Sequence, residues 1–314
     1  MIRFLEHDEI EQGRWDHCIS NALNGNVYGF SWYLNRVCPG WCALADETYS
    51  RIMPLPAWEK AGIRYLSQPY FTQQLGLYSL SAIDEITLSA FLSMIPGRFR
   101  FFDINLNSSN NFEVPGINSL PQTNYELYLS EDYASLRKGY SENLLRNLRK
   151  SKKEPLIIDR NASPEHLIEL FRQNRGATLT LGDSQYDLLS ALLHDCLERK
   201  TGELWGVVDN LDQLYAGAAW VFSHGKVIFL FSAVSAAGKE KAAMPFLIDS
   251  LISEKSGSKL VLDFEGSNNA TLARFYAGFG SQRLNYPRIS GNSLPLPLRT
   301  ALKIVRFLRD GGKK

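Results

Sequence analysis

Residues Leu260–Ser281 read LVLDFEGSNNATLARFYAGFGS. The apolar run at Leu260, Val261 and Leu262 is a short buried strand, and it ends in Asp263-Phe264-Glu265-Gly266-Ser267. Glycine at that place permits a turn that a Cβ would obstruct. Ser267 or Asn268 then caps a helix whose inward residues are Leu272, Phe275 and Tyr276. Asp263 and Glu265 have the same parity, so on a strand they point to one face. Two carboxylates on one face push one pKa upward and make a general base. The alternative is that one caps the helix and the other meets an arginine.

Working outward, helices are expected over Glu131–Lys138, Ser141–Lys153, from Ser163-Pro164 and from Asp183 or Ser184. Three strands follow in a row, Leu204–Val208, Gln213–Ser223 and Lys226–Val234, with Asn- and Gly-containing joins that suit antiparallel hairpins. Then come helix Ala243–Lys255, strand Lys259–Phe264, helix Asn269–Ala277 and strand Gln282–Tyr286. The first half is a thinner version: helix Glu9–Leu23, a short turn of helix or a loop at Phe30–Val37, and strands at Trp41–Ala45, Tyr49–Trp58 and Arg64–Ser67. Helix Ile83–Met94, capped by Ser81, and strand Arg100–Leu106 complete it. Pro54 and Pro56 make Tyr49–Trp58 an edge or broken strand. Asn107–Asn124, rich in Asn, Ser, Pro and Gly, reads as a loop and as the domain boundary. The class is mixed α/β (α+β).

The chain has 314 residues, 45% of them hydrophobic and 21% charged, enough for a large core and for two domains or one large one. Its net charge of +1 excludes a uniformly basic surface. The charged start has no apolar signal run, and no stretch reaches the roughly 20 apolar residues of a membrane span. Cys18, Cys38, Cys42 and Cys196 are scattered and complete no zinc pattern, so no metal is expected. Buried reduced thiols point to a cytoplasmic protein.

Asp263-Phe264-Glu265-Gly266-Ser267 followed by Arg274-Phe275-Tyr276-Ala277-Gly278-Phe279-Gly280 resembles the GNAT acyltransferase superfamily, in particular its FemAB-like and BioF2-like branches. The basic YSENLLRNLRKSKK, Tyr140–Lys153, adds to the likeness, which covers about residues 125–287. The resemblance implies tandem GNAT-like lobes: a degenerate lobe over 1–124, a second over 125–290, and an extension over 291–314. It implies acyl transfer from acyl-CoA or acetyl-CoA to the amine of a small molecule or peptide, with Asp263 or Glu265 as base and Tyr276 as proton donor to the leaving thiolate. The donor loop would be Ser235–Ala243, where Gly238, Lys239, Lys241, Ala242 and Ala243, together with Asn269, hold the pyrophosphate by amides at a helix start. Ser235 and Glu240 depart from the usual Q/R-x-x-G-x-G/A pattern. FemAB-like proteins often lack that loop because they use aminoacyl-tRNA, which leaves open an aminoacyl transferase acting on a cell-wall precursor, or a non-catalytic binding protein.

Arg137–Lys153 carries seven cations against Glu142 alone. Arg146, Arg149, Lys150 and Lys153 fall on one helix face, which suits tRNA or CoA phosphates, or simply a solvated surface. Tyr70, Phe71 and Gln73 lie in a loop that faces the cleft if two lobes pack. Ala301, Ile304, Val305 and Leu308 form an apolar stripe near the C-terminus that docks on the lobe or makes weak contact with a membrane surface.

Overall fold

A computed structural model describes residues 1–294 apart from Thr180 and Ser267. It opens with a strand that the sequence pattern does not announce, β1 (Ile2–Leu5), before α1 (Gln12–Asn21) and α2 (Ser31–Val37). Next come β2 (Cys42–Asp46), β3 (Arg51–Leu55), β4 (Ala57–Lys60), β5 (Ile63–Ser67) and the two-residue β6 (Tyr78–Ser79). The expected strand Tyr49–Trp58 is thus two strands that part at Pro56 and enter different sheets. Asp84, not Ser81, caps α3 (Glu85–Ser93), accepting the Thr87 N–H at 2.8 Å. After β7 (Phe99–Asn105), β8 (Asn118–Tyr128) begins inside the expected loop.

The second half supplies α4 (Tyr133–Lys138), α5 (Glu142–Ser151), β9 (Ile157–Asp159), α6 (Pro164–Gln173) and α7 (Asp183–Glu198). The three expected antiparallel strands are β10 (Gly202–Val208), β11 (Leu214–Ser223) and β12 (Lys226–Val234). The short α8 (Ala236–Glu240), α9 (Ala243–Lys255), β13 (Val261–Asp263), α10 (Ala270–Ala277) and β14 (Gln282–Asn292) complete the described chain.

One sheet has the order β1-β2-β3-β6; the other runs β4-β5-β7-β14-β8-β13-β12-β11-β10-β9. Each half contains a hairpin, a crossover helix and a parallel strand: β4–β5, α3 and β7, then β11–β12, α9 and β13. β14 joins the halves, because it pairs with β8 over Gln282–Ser290 and with β7 over Arg288–Asn292. Pro121 faces Pro287 in that ladder. Neither has an N–H to lose, so the composition that reads as a loop is tolerated in a strand. The boundary read at 124/125 falls inside β8, and the one at 290/291 inside β14.

Strand alternation sends Leu204, Ile228 and Leu230 to one face, where α1, α2, α6 and α7 supply Trp15, Leu34, Phe171 and Leu192. Trp205, Val227 and Phe229 go to the other face, under α4, α5, α9 and α10. The first of these cores mixes residues from both halves, so the halves bury a common surface. Arg36 pairs with Asp195, and His224 reaches the Ile19 carbonyl at 2.8 Å, across the same seam.

Candidate active site

β12 and β13 pair only where Lys226–Ile228 meets Val261–Asp263. Beyond Ile228 they part. β12 runs on to Val234 with a bulge at Leu230, opposite the Ala219/Trp220 step of β11, while β13 stops at Asp263. Bulges re-aim strands beside functional sites, and the parting leaves one backbone edge of β12 without a β13 partner. β13 runs into the Asp263–Gly266 turn at this opening, and Tyr276 of α10 lies edge-on to Phe229 of β12 at 6.4 Å.

Asp263 is not a free base. Its Oδ1 accepts the Asn124 amide and the Glu265 N–H, both at 2.9 Å, and its Oδ2 accepts Lys226 Nζ at 3.2 Å. Lys226 Nζ also donates to Glu126 Oε1 at 2.5 Å. Asp263 and Glu126 are each only 5% exposed and Asn124 2%. Burial raises the Glu126 carboxyl, opposed by Lys226 and reinforced by Asp263. Burial works against the Lys226 ammonium, but the two carboxylates outweigh it and hold its pKa up. The expected pair of carboxylates on one face is therefore Asp263 with Glu126, not Asp263 with Glu265.

Glu265 leaves the strand altogether. Its φ of 52° is left-handed, and so is the 32° of Gly266. A Cβ on Gly266 would lie 2.3 Å from the Asn124 Cα and 2.3 Å from the Thr123 carbonyl oxygen, so only glycine lets the turn sit on β8. Glu265 Oε1 is buried with no hydrogen-bond partner. Burial alone pushes this carboxyl well above the usual carboxylate range. Tyr276 stacks on Phe264 at 5.0 Å and 27°. Burial, then the nearby Glu265 charge, push its hydroxyl up to about 12. Tyr286 is raised in the same way, by burial and then by Glu265 and Asp263.

The expected donor residues are differently employed. Gly238 packs against β11, where a Cβ would meet the Tyr215 carbonyl oxygen at 2.1 Å, and its N–H donates to Ser235 Oγ at 2.9 Å. The N–H groups of Lys239, Lys241 and Ala242 bond to Ser235, Ala237 and Lys239 within the α8 turn. Lys241 Nζ pairs with Glu154 at 2.5 Å, while Lys239 is exposed. The left-handed residue that opens α9 is Ala242, at φ 54° and ψ 39°, four residues past Gly238. Ala243 is fully buried. Asn269 caps α10 through Thr271 and Leu272, and Asn268 clamps Thr123 and Gln122 instead of capping. A pyrophosphate needs open, unspent N–H groups; those of Gly238, Lys239, Lys241 and Ala242 are spent within the turn, so these four do not fit the CoA cradle that the resemblance implies.

Arg146, Arg149, Lys150 and Lys153 are exposed on or just after α5, with Leu144 and Leu148 turned inward. None of the four has an ion pair among the described residues. From the first half, Phe71 packs edge-on to Phe231 of β12, and Gln73 Nε2 donates to Asn124 Oδ1 at 3.5 Å. Lys226, Glu126 and Asn124 escape sequence reasoning. The signal was a charge immediately before the apolar run Val227–Phe231 and another inside Tyr125–Leu129. The C-terminal stripe and Ser267 lie outside the described residues. Among these, no His, Cys, Asp and Glu cluster suits a metal, and no helix is long and apolar enough to cross a membrane.

No family model and no curated protein matches the chain. Solved structures do. FemX is 14% identical with a TM-score of 0.62, over 93% of this chain and 98% of FemX. L-PGS from Bacillus licheniformis is 10% identical at 0.56, over 92% and 95%. A tandem GNAT protein from the clavulanic acid biosynthesis pathway is 10% identical at 0.50, over 94% and 99%. With the paired hairpin–helix–strand units and the parted β12 and β13, these likenesses establish that the chain has a mixed α/β fold of tandem GNAT-like lobes, the fold it shares with FemX and L-PGS.

Proposed function

We propose that this protein is an N-acyltransferase in which Glu265 accepts the proton of an attacking amine. The observation that carries this reading is Glu265 Oε1, buried and unpartnered beside the parting of β12 and β13. Leaving a carboxyl oxygen without a partner costs stability, and a carboxyl raised by burial is the stronger base. The neutral amine attacks the carbonyl of an activated ester or thioester, forming the new C–N bond. Glu265 takes the amine proton, and the oxyanion collapses with loss of the leaving group. Tyr276, whose hydroxyl has no hydrogen-bond partner among the described residues, donates its proton to that group. Released N–H groups on the β12 edge are suited to the oxyanion. The acceptor is the amine of a small molecule or peptide.

For the donor, the spent amides of Gly238, Lys239, Lys241 and Ala242 and the α5 face without ion pairs among the described residues favour aminoacyl-tRNA over acyl-CoA. The test incubates the protein with acetyl-CoA, longer acyl-CoAs or aminoacyl-tRNA and a panel of amines, and follows amide products by mass spectrometry. Product from at least one donor is expected, lowered roughly 10²-fold or more by Glu265→Gln. Undiminished product from that variant sinks the assignment of the base. Absence of product with every donor supports a non-catalytic binding protein instead.

A further inference from the structure

We propose that Lys226 is the positioning residue of this site, and that Gln73 carries its hold into the first half. Together with Asn124 they fix Asp263, and Asp263 fixes the turn that aims Glu265. This deepens the reading of Glu265 as the base and rests on it. Three neighbouring strands converge here: Asn124 and Glu126 come from β8, Asp263 from β13 and Lys226 from β12. Asp263 and Glu126 stand directly opposite each other in the β13–β8 ladder. Two buried carboxylates so placed cannot both stay ionised without a cation, because like charges at a shared site force one to keep its proton. Lys226 is the cation in reach of both among the described residues.

Ionisation matters because Asp263 has three duties. It accepts from Lys226, from Asn124 and from the Glu265 N–H. The last bond holds a non-glycine residue in the left-handed region, which persists only where its surroundings over-determine it. Asn124 Oδ1 in turn accepts a long bond, 3.5 Å, from Gln73 Nε2 of the first half. Gln73 is itself held, its carbonyl accepting the Asn105 amide at 2.9 Å and its Oε1 the Gln74 amide at 2.6 Å. Lys226 follows the His224-Gly225 turn, which is tied to Ile19. The chain from the first half to Glu265 is thus continuous. Tyr276 of α10 and Tyr286 of β14 lie in electrostatic range of Glu265, and Arg175 lies in that of Tyr276.

The test uses the full chain and needs no substrate. Hydrogen exchange read by mass spectrometry compares wild type with Lys226→Met, Lys226→Arg and Gln73→Ala. Lys226→Met is expected to speed exchange at Phe264–Gly266 about tenfold or more, while α7 keeps wild-type protection. Lys226→Arg restores the wild-type rate, which a loss of packing alone does not predict, and Gln73→Ala gives a smaller acceleration at the same peptide. Carboxyl-labelled NMR adds a second readout. In Lys226→Met the Glu126 carboxyl, which Lys226 holds down, titrates upward of its wild-type position. An unchanged turn and unchanged titration in Lys226→Met overturn the proposal. If Lys226→Met melts the whole chain, Gln73→Ala and Lys226→Arg decide it, and wild-type exchange in the first with no rescue in the second overturns it. Glu265→Gln separates this from the reading beneath it. Should no high-titrating glutamate disappear in that variant, Glu265 is not the base, while the exchange comparison still decides the role of Lys226.

Discussion

Replacing Gly266 by alanine tests whether the turn that carries Glu265 really depends on backbone contact with β8. The added Cβ meets the Asn124 Cα at 2.3 Å, the Thr123 carbonyl oxygen at 2.3 Å and the Asn124 nitrogen at 2.9 Å. All three are main-chain atoms of a paired strand, so no side chain can swing away. Two costs add. The positive φ of 32° is unfavourable to an L-residue by about 1–2 kcal/mol. Forcing an atom into filled space costs about 1–3 kcal/mol more. The expected loss is therefore about 2–5 kcal/mol, a large part of the ~5–15 kcal/mol that holds a typical domain together. Gly62 is the control, since it has φ 73° and nothing within 4 Å of an added Cβ. Gly62→Ala should lose only the conformational part, about 1–2 kcal/mol. Urea unfolding followed by circular dichroism measures both variants, and the difference between them isolates the close approach. A Gly266→Ala chain no less stable than Gly62→Ala refutes the contact, and with it the account of how Glu265 is aimed.

Other expectations follow from the same site. Burial raises the Glu265 carboxyl, so between its ordinary range and its folded one Glu265 holds in the folded state a proton that the unfolded chain has released, and above that window it is the carboxylate that can act as base. Its contribution to stability is therefore full below the ordinary carboxylate range and is lost as pH rises from there toward the folded value. Glu265→Gln should flatten that fall and make the protein more stable at neutral pH, as seen by thermal melts across pH. Tyr276→Phe keeps the ring stacked on Phe264, so melting should barely move while product formation drops about 10²-fold; equal turnover removes Tyr276 as proton donor. Arg149→Glu with Lys150→Glu should weaken tRNA binding and reduce the salt slope by about 0.7–0.9 for each phosphate no longer neutralised, measured by filter binding at several salt concentrations.

Much of the second half is legible in the sequence because its elements are locally determined. Ser141 and Ser163 cap α5 and α6 through side-chain oxygens next to apolar periodicity. The three strands β10 to β12 are apolar and separated by short polar turns, so their pairing is a matter of neighbours. The first half is less legible where pairing is remote. β1 is four residues long and gains its place only from β2, some forty residues on. The polar start of β8 becomes a strand because β14 lies beside it. The site divides in the same way. The Asp-Phe-Glu-Gly stretch marks the place, but the assignment of the two acids depends on Lys226 and Glu126, which come from other strands.

From the sequence alone, the βα unit around Gly266, the amphipathic α5 with its cationic face and the mixed α/β class were determined, because each rests on period, caps and turn residues within a short window. Tertiary structure decided that Asp263 is spent in an ion pair while Glu265 Oε1 is buried without a hydrogen-bond partner. It also decided that the loop at Gly238 is closed by its own hydrogen bonds. Parity along a strand says which way two carboxylates would point. Only the left-handed turn at Glu265 and the approach of β8 and β12 say which of them meets a cation.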